Sequence, residues 1–266
     1  MTGKITRDSA PMLPDRLVNR RRLMQGAAAA GLSAAAFSGV AMPRAYFASA
    51  QDAEDGLLTI SNEQQQTWVR AFNPLLPENT GGRWPTQYGI YEPMMIYNII
   101  AGELVPWLAT EYAFNEDNSQ LTFKTREGVN WSDGTPFTAR DVAFTFNLLK
   151  DTPGLTSPSG VTAAFGEEGY LESVEATDDT TVVFTFSRVY TPGLYDVAEQ
   201  PIVPEHIWSA IEDPVTFANE EPVATGPFTE ITRFETQIWT LEKNPNYWQE
   251  GLPKIQGFRL PAYASN

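Results

Sequence analysis

The 266-residue chain contains no cysteine and a single histidine, His206. No disulfide framework can form, so stability must come from a packed core, and no lipid-modified cysteine can anchor the chain. A thiol nucleophile and any zinc or iron–sulfur site with Cys ligands are excluded on the same ground. One imidazole cannot build an ordinary His-rich metal centre, and as an acid or base it would need partners. No phosphate-cradling or nucleotide-binding glycine pattern occurs. Basic residues are also scarce: 18 Lys and Arg stand against 33 Asp and Glu, a formal charge of -15. Phosphate binding rests on clustered Lys and Arg, so nucleic acid is not an expected partner.

What is present begins with an export signal. Arg20, Arg21 and Arg22 are followed by Leu23 and Met24, then by an uncharged Ala-, Gly- and Ser-rich run from Gly26 to Ala41. Ala48-Ser49-Ala50 supplies the small-x-small cleavage pattern, with Ala48 and Ala50 as its small residues. The apolar run is too short and too weakly apolar to span a membrane. An arginine pair before two apolar residues resembles the signal read by the twin-arginine exporter, so 1–50 is expected to be removed after passage through that machinery. The first fifty residues hold seven of the basic and two of the acidic residues, which leaves 11 and 31 and a formal charge of -20. Such an acidic surface favours a soluble monomer.

The remaining segment reads as a mixed α+β domain. Leu57, Leu58 and Ile60 predict a short strand, and a Gly- and Pro-broken loop leads to a predicted helix over 89–100. Leu121, Phe123 and Thr125 recur with a period of two, and Trp131-Ser132-Asp133-Gly134 reads as a turn. Thr138 and Asp141 form a capping box before Val142, Phe146 and Leu149, with Phe137 placed to staple onto Val142. Runs at 171–176 and 180–186 predict a hairpin, as do those ending at Phe234 and starting at Gln237. Connections this short require antiparallel pairs.

Four stretches, taken in order, resemble the extracellular solute-binding proteins of the oligopeptide-binding family, the delivery components of ABC importers. They are Pro106-Trp107-Leu108-Ala109, the run from Arg126 to Val142, Thr225-Gly226-Pro227-Phe228, and Asn244-Pro245-Asn246-Tyr247-Trp248. Their combination and order carry more weight than any one of them. The resemblance implies a two-lobed periplasmic-binding-protein-like fold, of which this chain holds the first lobe with its inserted domain. Residues 51–96 would begin an interrupted domain I, 97–188 would form inserted domain II, and 189–266 would return to domain I. The second ligand-binding lobe is absent from this reading, to be supplied by another chain unless the sequence is a non-functional fragment. Function is expected to be capture of a short oligosaccharide or oligopeptide for membrane permease subunits, with no catalysis, cofactor or metal.

The expected inter-lobe face is rich in aromatic and amide side chains. Phe72, Asn73, Trp84, Tyr88, Tyr91 and Glu92 are the candidate ligand contacts, because rings can lie against a sugar face or peptide side chain while Asn and Glu orient hydroxyls or an amine. Trp131, Tyr247 and Trp248 read as packing residues, and His206 as part of a structural turn. A secreted glycosidase is the catalytic alternative, since that reaction uses two acids facing one bond. Glu167-Glu168, Asp178-Asp179 and Glu220-Glu221 are only adjacent along the chain and fit solvated faces or turns better.

Overall fold

The computed structural model describes residues 56–60, 66–76, 84–157, 159–166 and 168–263, all within the compact unit Ala50–Asn266. The second unit, Met1–Ser49, and with it Arg20, Arg21, Arg22, Leu23, Met24 and Ala48, lies outside the described residues, as does Ala50. Among the described residues no helix is long and apolar enough to cross a membrane.

Among the described residues, two four-stranded sheets and a ribbon organise the unit. The first sheet runs β1–β10–β9–β8, from β1 (Leu57–Thr59), β8 (Phe228–Glu235), β9 (Ile238–Lys243) and β10 (Gly257–Pro261). In it β1 lies parallel to β10, with Leu57 opposite Gly257, and the remaining pairs are antiparallel. The second sheet runs β4–β5–β7–β6, from β4 (Ala109–Phe114), β5 (Gln120–Thr125), β6 (Leu171–Asp178) and β7 (Thr181–Phe186), antiparallel throughout. β5 alternates inward Leu121 and Phe123 with outward neighbours, as its period of two requires.

Helix α1 (Ala139–Asp151) packs on this second sheet. Thr138 N donates to Asp141 Oδ2 at 2.8 Å and Arg140 N donates to Thr138 Oγ1 at 3.3 Å, closing the capping box. Val142, Phe146 and Leu149 face inward, and the Phe146 ring meets Phe184 of β7 edge to face at 4.8 Å. Two short helices follow, α2 (Gly193–Ala198) and α3 (Glu205–Trp208). Gly134 holds φ of 91° in the turn after Trp131, a conformation that side chains resist.

One expectation is overturned. The predicted helix over 89–100 does not continue past Ile90: Met95–Asn98 is strand β2, paired antiparallel with β3 (Glu103–Pro106). Pro93 lacks the donor a helix interior needs and disfavours helical geometry at Glu92. Ile96 and Tyr97 then suit a ribbon, whose ladder places Tyr97 opposite Leu104. Only a single wide turn precedes it, where Ile90 N bonds Pro85 O and Tyr91 N bonds Thr86 O, both at 2.9 Å.

Candidate functional site

The six candidate residues divide among separate environments. Phe72 and Asn73 follow the aromatic segment at Trp68 and turn inward. Phe72 is fully buried, its ring 5.3 Å from Trp239 of β9 and 6.0 Å from Phe234 of β8. Asn73, also buried, donates from Nδ2 to Pro214 O at 2.9 Å and Phe217 O at 3.0 Å, and accepts from Leu75 N at 2.9 Å. Tyr91 is fully buried, and its hydroxyl accepts from Asn219 Nδ2 at 2.7 Å. The same Nδ2 reaches Phe72 O at 3.0 Å, so Asn219 joins the two candidates. Burial pushes the Tyr91 phenol well above its ordinary range.

Glu92 belongs to a second network. Its side chain is buried, and Oε1 accepts the Trp107 indole N–H at 2.7 Å and the Tyr247 hydroxyl at 2.9 Å, while Oε2 accepts the Trp248 indole N–H at 3.0 Å. Burial raises its pKa from the ordinary 4.5 to about 7, against the opposing pull of hydrogen bonds from Trp248, Trp107 and Tyr247. The Arg126 guanidinium lies over the Trp248 ring at 4.7 Å and donates from Nε to Trp107 O at 2.8 Å. Three donors from the stretch after β3 and the loop after β9 thus converge on one carboxylate.

Trp84 and Tyr88 come nearest to solvent. Trp84 is half-buried, edge-on to Phe258 of β10 at 5.1 Å. Tyr88 is 41% exposed and holds φ of 68°, uncommon for a bulky side chain. Its turn is clamped from below: Gly226 N donates to Ile90 O at 2.8 Å, and a Cβ on Gly226 would stand 2.2 Å from that oxygen. The Thr225-Gly226-Pro227-Phe228 stretch therefore needs glycine where two backbones touch.

The residues weighed as catalytic alternatives sit in turns and surface pairs. His206 Nε2 lies 2.8 Å from Asp133 Oδ2 at the surface, tying α3 to the turn after Trp131. Asp178 accepts from Thr180 N at 2.8 Å and Asp179 faces Arg140 at 3.1 Å, while Glu221 pairs with Arg70. Among the described residues no three His, Asp or Glu side chains gather closely enough to hold a metal ion. Asn219 and the Glu92 network escape a local reading, because every partner but Trp107 lies 128 to 156 residues away along the chain.

Comparison with known proteins places this geometry in a family. The profile of bacterial extracellular solute-binding proteins, family 5, matches residues 103–266, and the chain belongs to that family. Protein XP55 of Streptomyces lividans is 34% identical over 62% of this chain and 29% of its own length. A putative ABC transporter peptide-binding protein of Brucella ovis is 32% identical over 69% of this chain and 34% of its own. Among solved structures, the mannohexaose-bound periplasmic oligopeptide-binding protein of Thermotoga maritima superposes with a TM-score of 0.68 at 27% identity, covering 80% of this chain and 39% of that one. The fold is thus a mixed α/β periplasmic-binding-protein-like one, and the chain spans about a third of the length of the curated relatives it matches. The family description names solute binding and no reaction, in keeping with the expectation of a binder.

Proposed function

We propose that the chain acts outside the cytoplasmic membrane as the substrate-binding component of an ABC importer, capturing a short oligosaccharide or oligopeptide for membrane permease subunits. The family match over 103–266 carries this reading, supported by fold likeness over 80% of the chain. Relatives named for peptide binding and one bound to mannohexaose make both ligand classes reasonable. The chain corresponds to the first lobe of such proteins, with 97–188 inserted between 51–96 and 189–266. In support, β1 joins β8, β9 and β10 in one sheet, while β4 to β7 form another from the intervening sequence.

Ligand contact falls to Trp84 and Tyr88, the candidates that reach solvent. Phe72, Asn73, Tyr91 and Glu92 hold the scaffold behind them. Export follows the twin-arginine route through Arg20, Arg21, Arg22, Leu23 and Met24, with cleavage after Ala50. Isothermal titration of the exported protein against short peptides and β-linked oligosaccharides tests the function. Saturable binding of either set is the expected result, with the ligand recovered unchanged, and silence towards both overturns the reading.

A further inference from the structure

The chain around Tyr88 and β2 runs beside the stretch that leaves α2. Ile202 N donates to Glu92 O at 3.1 Å, Pro93 bridges antiparallel to Pro201, and Tyr97 N donates to Glu199 Oε1 at 3.1 Å. This zipper brings side chains from distant sequence to one surface. The Tyr97 and Tyr195 rings meet edge to face at 5.4 Å and 85°, yet remain 37% and 46% exposed. Glu199 follows α2 directly and is partly buried beside them. Among the described residues it enters no ion pair, and its side chain makes no hydrogen bond beyond that from Tyr97 N. Burial raises the pKa of the Tyr88 phenol, and the negative charge of Glu199 adds to the rise, so Tyr88 lies within reach of this charge.

A carboxylate without a counter-cation, flanked by phenol rings that still expose surface, has a definite complement. The ring faces and the carboxylate both attract a positive charge, whereas a neutral hydroxyl gains the carboxylate's hydrogen bond but no attraction of its charge to the ring faces. The acidic chain as a whole draws cations towards its surface. We propose that Tyr97, Tyr195 and Glu199, with Tyr88 at their edge, form a subsite for the alkylammonium group of a small solute, such as the amino terminus of a short peptide. The assignment rests on the solute-binding reading above and narrows it to cationic ligands.

The test follows tyrosine ring signals by NMR while the intact chain is titrated with tetramethylammonium, and separately with tert-butanol as a neutral molecule of similar shape. Saturable shifts at Tyr88, Tyr97 and Tyr195 are expected with the cation alone. Glu199→Gln keeps an acceptor for Tyr97 N but removes the charge, and should weaken the response about tenfold, as one lost charge contact of ~1.4 kcal/mol requires. Tyr195→Phe should retain it and Tyr195→Ala should reduce it, with circular dichroism confirming that each variant folds. No response, equal responses to the two probes, or an unchanged response in Glu199→Gln overturns the subsite. Calorimetry then compares a tripeptide carrying a free amino terminus with its N-acetylated form. Equal binding of the two overturns the subsite while leaving solute binding intact. A tetramethylammonium response without binding of any peptide or sugar supports the subsite and overturns the importer reading.

Discussion

The carboxylate of Glu92, itself buried, accepts the indole N–H of the partly buried Trp107 at 2.7 Å. A carboxyl group held there at a pKa of about 7, against 4.5 ordinarily, couples folding to pH. Between those values the folded state keeps a proton that the unfolded chain has released, so stability falls as pH rises through the window. The change is about 3 kcal/mol by the linkage of 1.36 kcal/mol per unit. Urea unfolding at pH 5 and pH 8 measures it, and Glu92→Gln should flatten the difference.

Removing the Glu92 side chain has a different effect from neutralising it. Glu92→Ala leaves two indole N–H groups and the Tyr247 hydroxyl without their acceptor. Those three side chains are only partly buried, so water can replace part of the lost acceptor, and the loss should be about 1–3 kcal/mol. Chemical denaturation at pH 5 checks this, and a loss below 1 kcal/mol would show that the network contributes little.

Asn219 combines an amide bridge with a left-handed backbone, φ 52°. Asn219→Ala loses both bonds and suits that angle poorly, whereas Asn219→Gly loses only the bonds. Destabilisation of about 2–4 kcal/mol is expected for Ala. Gly should recover up to about 1 kcal/mol of it.

A methyl group at Gly226 must push the Ile90 carbonyl away and with it the turn bearing Tyr88. Gly226→Ala should therefore weaken solute binding as well as stability. The measurement is calorimetric affinity alongside unfolding, and unchanged affinity would separate the turn from the ligand.

At the tip of the β2–β3 ribbon, Ile99 and Ile100 are 83% and 95% exposed. Replacing both with Ser removes almost no buried contact, and stability should stay within about 0.5 kcal/mol of the parent. Thr138→Ala is the contrast, because losing the α1 cap should cost about 1 kcal/mol. Parallel melts of the two variants give the comparison.

The legible parts of this molecule are those decided by near neighbours. Thr138, Asp141 and the inward face of α1 sit within a few turns of one another, and the β6–β7 hairpin closes over two residues, so local pattern determines both. Residues 91–100 defeat a local reading because an apolar run of this length suits helix or strand alike, and the partner Glu103–Pro106 decides the matter. The candidate site was legible as composition but not as exposure. Phe72 and Tyr91 carry the same rings as Tyr88, and only packing against Trp239 and Asn219 sends them inside. Glu199 carried no sequence signal at all, since its meaning depends on Tyr97 lying across the zipper.

The parallel pairing of β1 with β10 sets an order of events during synthesis. Leu57 waits for Gly257, so the edge it offers stays open until about two hundred further residues have left the ribosome. Closing so long a loop adds little to its thermodynamic cost, because that cost grows only logarithmically with length. It does delay the step, and long-range pairing is what slows folding. The β4–β7 sheet and α1, made from contiguous sequence, can form while the first sheet is still incomplete. Any premature end before Gly257 would strand β1 as a bare edge open to pairing with other chains.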